Sequence, residues 1–152
     1  MVNGKYFLSL HQIMVIRRKI YNLRTAPQRW WHRHGFGIHS PHDYELIRDV
    51  LFEKHAYYAY KDLHLNDPWS RQLYRIRLWN PTVQIIHTQE EYETCCAQAT
   101  DHTCLIIENI SNQNLSLWKH ILKDPKARIT FDMRNRGLVL FNTKRIKQNY
   151  LL

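Results

Sequence analysis

Thr103-Cys104-Leu105-Ile106-Ile107-Glu108-Asn109-Ile110 decides how this chain is read. Its centre, Cys104 to Ile107, is apolar throughout and helical patterns flank it on both sides, so it reads as a buried strand of an α/β sheet. On its N-terminal side Val83 to His87 reads as another strand, and Thr88 to Glu91 forms a capping box that opens a helix to about Ala99. On its C-terminal side Asn114 to Lys123 predicts a helix with Leu115, Trp118, Ile121 and Leu122 inward, ended by Asp124-Pro125. Arg128 to Asp132 alternates as a half-exposed strand should, Arg134 to Gly137 supplies a turn, and Leu138 to Phe141 returns. The expected sheet is mixed and has about four strands, the last antiparallel to its neighbours. An open edge invites pairing, and the N-terminal helices or a second subunit are expected to cover it.

Upstream of the sheet the pattern is helical. Leu8, Leu10, Ile13, Met14, Ile16, Ile20 and Leu23 recur at helical spacing, which predicts a helix over residues 5–24 that ends before Pro27. Arg29-Trp30-Trp31-His32-Arg33-His34 follows as a dense aromatic and basic hexapeptide, closed by a turn at Gly35-Phe36-Gly37. Ser40-Pro41-His42-Asp43 is a helix start, with Ser40 as cap, Pro41 at the first helical position and Asp43 able to complete a capping box. That helix is expected to run to about Lys54 on the apolar face of Tyr44, Ile47, Val50 and Leu51. Asp67-Pro68 opens the next, with Leu73, Ile76 and Leu78 inward, Arg71, Arg75 and Arg77 outward, and a stop at Asn80-Pro81.

The chain has 152 residues, 44% of them hydrophobic, enough to bury one core and too few for two. A single domain is expected, residues 1–80 forming a helical basic arm and cap and residues 81–152 the sheet. Cys95, Cys96 and Cys104 are odd in number and lack metal-ligand spacing, which points to reduced, buried thiols in a cytoplasmic protein. The apolar stretch Tyr6 to Ile16 contains His11 and Gln12, is shorter than the roughly 20 residues a membrane span needs, and carries its basic cluster on the side opposite to that of a secretory signal. No transmembrane segment or export signal is expected.

Gly35-Phe36-Gly37-Ile38-His39-Ser40-Pro41, followed through Glu53-Lys54-His55 to Tyr57-Tyr58-Ala59-Tyr60, resembles the N-terminal cap of a Bacteroidetes-type group of bacterial class I S-adenosylmethionine-dependent methyltransferases. Ile106-Ile107-Glu108-Asn109-Ile110, Trp118-Lys119, Asp124-Pro125, Ile129-Thr130-Phe131-Asp132 and Gly137-Leu138-Val139-Leu140-Phe141 are similar to that group's last three strands, the final one antiparallel. The resemblance implies a Rossmann-like sheet with a helical cap. In the group, the first strand ends in an acidic, glycine-rich turn; here Val83-Gln84-Ile85-Ile86 passes into His87-Thr88-Gln89, and no glycine occurs between Gly37 and Gly137. The second strand, whose carboxylate holds the cofactor's ribose, and the third have no counterpart. The resemblance therefore implies a truncated methyltransferase sheet without its S-adenosylmethionine site, and it carries over no catalytic, cofactor-binding or metal residue. The expected function is a non-catalytic binding or scaffold module, as a homo-oligomer or beside a full-length methyltransferase. The alternatives are a methyltransferase completed by a partner chain, and a binder of nucleic acid or anionic membrane through the arm.

That arm carries the candidate site. No acidic residue precedes Asp43, while the first 42 residues hold Lys5, Arg17, Arg18, Lys19, Arg24, Arg29 and Arg33 of a chain with net charge +9. Arg17, Arg18, Lys19, Arg29, Trp30, Trp31 and Arg33 form the candidate anion-binding set. Such residues grip phosphates while indoles stack bases, or they lie on an anionic membrane; alternatively Trp30 and Trp31 pack the arm onto the sheet. His32, His34, His39 and His42 lack the i, i+4 pairing of a metal site. Glu108 and Asn109, at a strand end, are expected to hydrogen-bond the next loop.

Overall fold

A computed structural model describes residues 9–152. Its elements are α1 (Leu10–Arg33), α2 (Pro41–Glu45), a π-helical turn (Leu46–Leu51), α3 (Tyr58–Asp62), α4 (Pro68–Trp79), β1 (Gln84–Ile86), α5 (Gln89–Ala97), β2 (Cys104–Glu108), α6 (Leu115–Lys123), β3 (Ile129–Asp132), β4 (Arg136–Leu140) and β5 (Gln148–Leu151). The strands form one mixed sheet in the order β1-β2-β4-β3-β5. β1 runs parallel to β2 and β3 parallel to β5, while β4 lies antiparallel between β2 and β3.

The returning strand is therefore antiparallel to both neighbours, as expected, but the sheet has five strands rather than four. The fifth, Gln-Asn-Tyr-Leu, alternates too weakly to announce itself, and it forms by adding to the exposed edge of β3. Residues of β2 alternate between two cores. Cys104 and Ile106 join Ile129, Phe131, Leu138 and Tyr150 beneath the π-helical turn and α4, whereas Leu105 and Ile107 join Val139, Tyr92, Trp118 and Ile121 beneath α5 and α6. Because helices cover both faces, β3 is buried throughout rather than half-exposed. Its one neutral polar side chain, Thr130, donates to Asn149 Oδ1 at 2.7 Å.

Gly137 is required by packing. A Cβ there would come within 2.3 Å of the Trp118 ring, which lies across β4. At α6, Trp118, Ile121 and the half-buried Leu122 face inward as expected, Leu117 joins them, and Leu115 faces out instead.

Two further corrections concern the cap. Ser40 caps α2 through the Asp43 amide, but the Asp43 carboxylate does not turn back to complete a box; fully buried, it pairs instead with both terminal nitrogens of Arg145, one at 2.6 Å. The α-helix stops at Glu45 and continues as the π-helical turn to Leu51, short of Lys54. The end of that turn leaves carbonyls without helical partners. Arg75 donates to Val50 O at 2.6 Å and to Tyr60 Oη at 2.8 Å, and Gln72 donates to Leu51 O at 2.8 Å. Arg75 thus points inward, and Leu78, 61% exposed, faces water. Those carbonyls recruit the arginine that periodicity assigns to the surface.

Candidate anionic-partner interface

Ser9 starts α1 with a complete capping box: the Gln12 amide donates to Ser9 Oγ at 3.2 Å and the Ser9 amide to Gln12 Oε1 at 2.9 Å. The expected break before Pro27 does not occur, and the helix absorbs the proline and reaches Arg33. An interior proline costs about 3 kcal/mol or more, and the seating of the following turns offsets it. Arg29, 1% exposed, donates to Asp132 O at 2.8 Å, Asp132 Oδ1 at 2.9 Å and Leu152 O at 2.7 Å. One turn on, His32 Nδ1 lies 3.0 Å from Leu151 O and 3.2 Å from Leu151 N. The carboxyl-end half of edge strand β5 is therefore covered by α1.

The predicted set of seven separates accordingly. Arg29 is excluded from anion binding, because its guanidinium is spent on a buried carboxylate and two carbonyls. Arg33 lies 4.3 Å over the Phe52 ring, and burial, with Arg134 and Arg29 nearby, lowers its pKa. Arg17, Arg18 and Lys19 are exposed on the part of the helix before the seated turns. Trp30 and Trp31 are 56% and 51% exposed, so they do not pack the arm onto the sheet. They cluster instead with Phe36, whose ring centroid is 4.5 Å from that of Trp31, and with His34, 4.4 Å from Trp30.

The apolar side chains of the arm are also exposed: Ile16 and Ile20 are about half in solvent and Leu23 is 77% exposed. At about 100° per residue, Ile16, Ile20, Leu23, Trp30 and Trp31 fall within one arc roughly 100° wide, turned away from Arg29 and from the sheet. Arg17 and Arg24 border that arc on one side and Lys19 on the other. The sequence spacing shows Ile16, Ile20 and Leu23 on one face, but joining them to Trp30 and Trp31 requires the helix to continue through Pro27, and reading the face as free requires knowing which side the sheet takes.

Along the same end of the sheet, the carboxyl ends of β1 and β2 are engaged by the protein's own groups. The Glu91 carboxylate accepts the His87 amide at 2.8 Å and the Thr88 amide at 3.3 Å, closing the turn after β1. The His87 bond, ahead of the others, holds the Glu91 carboxyl below the usual range. Glu108 lies 3.6 Å from Arg136, whose guanidinium sits 4.0 Å over Trp69. Asn109 adopts φ 54° and shares weak hydrogen bonds with Gln113 and Asn135, while Asn114 donates to Glu108 O at 2.8 Å, the loop role expected of this strand end.

Among the described residues no group of three or more His, Cys, Asp or Glu is placed to hold a metal ion; His34 Nδ1 lies against Trp30 O and His42 against Trp79. Cys104 is buried and Cys95 and Cys96 half-buried, all as free thiols. No described helix is long and apolar enough to cross a membrane. A recess of about 470 Å³ lined by His42, Trp79, Asp101, His102 and Arg145 lies at the amino end of β2, away from these strand ends. Comparison with known proteins returns no matching family model, curated protein or solved structure.

Proposed function

We propose that this protein is a methyltransferase-like binding module without catalytic activity, in which a truncated α/β body carries α1 as an arm for an anionic partner. The observation that carries the reading is the turn after β1. In a cofactor-binding α/β domain the backbone amides of that turn face the ligand. Here Glu91 accepts both of them, and its negative charge stands where a ligand carboxylate or phosphate would be received. Glycine, which lets a backbone approach a ligand closely, is missing from the turn as well. The antiparallel β4 beside β2 and β3 supports the resemblance to the final strands of the methyltransferase group.

Binding then falls to the free part of the arm, where Arg17, Arg18 and Lys19 are exposed beside the apolar stripe and pair with no carboxylate among the described residues. Calorimetric titration with S-adenosylmethionine tests the first half of the reading: the expected result is no binding tighter than about 100 μM, or about −5.5 kcal/mol. Tighter binding overturns it. The second half is tested by salt: binding through exposed cations must weaken as ionic strength rises.

A further inference from the structure

We infer that the occupant of the α1 stripe is an anionic lipid surface, on which the helix lies in the plane of the headgroups. The inference rests on the arm's being the binding element, and it adds which partner fits. Three observations carry it. First, the exposed arc is apolar and continuous from Ile16 through Ile20 and Leu23 to Trp30, Trp31 and Phe36, so its occupant must offer apolar contact. A phosphate backbone gives Ile20 and Leu23 none, which argues against nucleic acid.

Second, the cations are borders of the arc and not its centre, with Arg17 and Arg24 on one flank and Lys19 on the other. Long basic side chains so placed keep their aliphatic stems along an apolar surface while their heads reach headgroup phosphates. A second copy of this chain would set Arg17, Lys19 and Arg24 against their own counterparts along the seam, where like charges oppose pairing. With no acidic residue before Asp43, the arm has nothing to offer them.

Third, the two half-exposed indoles sit together at the seated end of the stripe, beside Phe36, at the level where the body begins. Indoles favour the headgroup region, because the ring is apolar and its N–H is polar. A helix lying flat would bury the arc about 5–10 Å deep and leave the sheet, on the other side of Arg29, in water. The same geometry keeps the seating bonds intact.

The experiment is sedimentation of the full chain with phosphatidylcholine vesicles, with and without about one-third phosphatidylglycerol, at low and physiological ionic strength. Partition is expected with the anionic vesicles only, to fall with salt, and to bring a blue shift of tryptophan emission that Trp30→Phe and Trp31→Phe diminish. Replacing Arg17, Lys19 and Arg24 by glutamine should lower partition on the order of 100-fold, at about 1 kcal/mol per cation, with circular dichroism unchanged. Ile20→Ser with Leu23→Ser, which keeps every charge, should lower it at least tenfold. Absence of partition at low ionic strength overturns the inference, and so does partition indifferent to the two serines. Salt-sensitive binding to single-stranded oligonucleotide without vesicle binding overturns the lipid assignment alone; failure with both overturns the arm as a binding element.

Discussion

Arg29 and Arg17 stand on the same helix, three and a third turns apart by geometry, and they do opposite things. Arg29 is buried, tied to Asp132 and Leu152 from the sheet side; Arg17 stands in water beside exposed isoleucines. Residue type does not separate them, since both are arginines in a basic, acid-free segment. What separates them is whether a sheet edge passes beneath. The seated turns use charge as a structural bond in low dielectric, and the free turns keep it available for a partner.

The largest expected effect breaks that comparison at its seated end. Arg29→Met leaves Asp132 without its cation beneath the helix, and removing one member of a buried pair typically costs about 3–5 kcal/mol. Urea denaturation should register the loss in midpoint, and a cost under about 1 kcal/mol would show that α1 is held elsewhere. Gly137→Ala comes next, because its Cβ meets the Trp118 ring at 2.3 to 2.8 Å, and overpacking of this kind costs about 1–3 kcal/mol. Thermal melts should show it, with α1 unaffected in its protection from hydrogen exchange.

Trp30→Ala should cost clearly less than the about 3–5 kcal/mol of a buried tryptophan, since its indole is half in water. Equal costs for Trp30→Ala and Trp118→Ala would contradict the exposed cluster. No substitution is needed for the next test. Burial pushes the Tyr150 phenol up to about 12, with Asp43 adding to it, and burial pushes the Cys104 thiol up to about 12 as well. Both raised values mean that the native state holds protons the unfolded chain gives up. The contribution of these two groups should therefore be fully present up to about pH 8 and be lost as pH climbs from there toward 12, measured by urea midpoints across that range. The smallest effect is at the free end: glutamine at Arg17, Arg18 and Lys19 should each change stability by no more than about 0.5 kcal/mol.

The middle of the sheet was legible because burial on both faces writes unbroken apolar runs, as in Cys104 to Ile107, and because Thr88-Glu91 and Asp67-Pro68 mark helix starts in local chemistry. β5 was not legible, since Gln148 to Leu151 gains strand character only from β3 beside it. Arg75 and Asp43 were misplaced for a related reason. Each satisfies groups distant in sequence, the π-turn carbonyls and Arg145, and periodicity knows nothing of a carbonyl's needs. In the candidate site, the helical spacing from Leu10 to Leu23 and the cations among it are readable in the sequence, but the continuation to Trp30 and Trp31 is not, and Arg29 falls in the anion-binding set although it is buried. Pro27 argued for a break, and nothing local reveals that Asp132 waits beneath.

The bond between Arg29 and the sheet spans most of the chain, 103 residues to Asp132 and 123 to Leu152. On a ribosome, α1 emerges long before either partner exists, carrying an apolar stripe and an unpaired guanidinium. Its seating must be a late event, after the β3–β4 hairpin has formed and β5 has joined β3, because long-range contacts wait on the chain that closes them. During that interval the nascent protein is all arm and no anchor, and whatever the stripe adheres to has its first access before the body is complete.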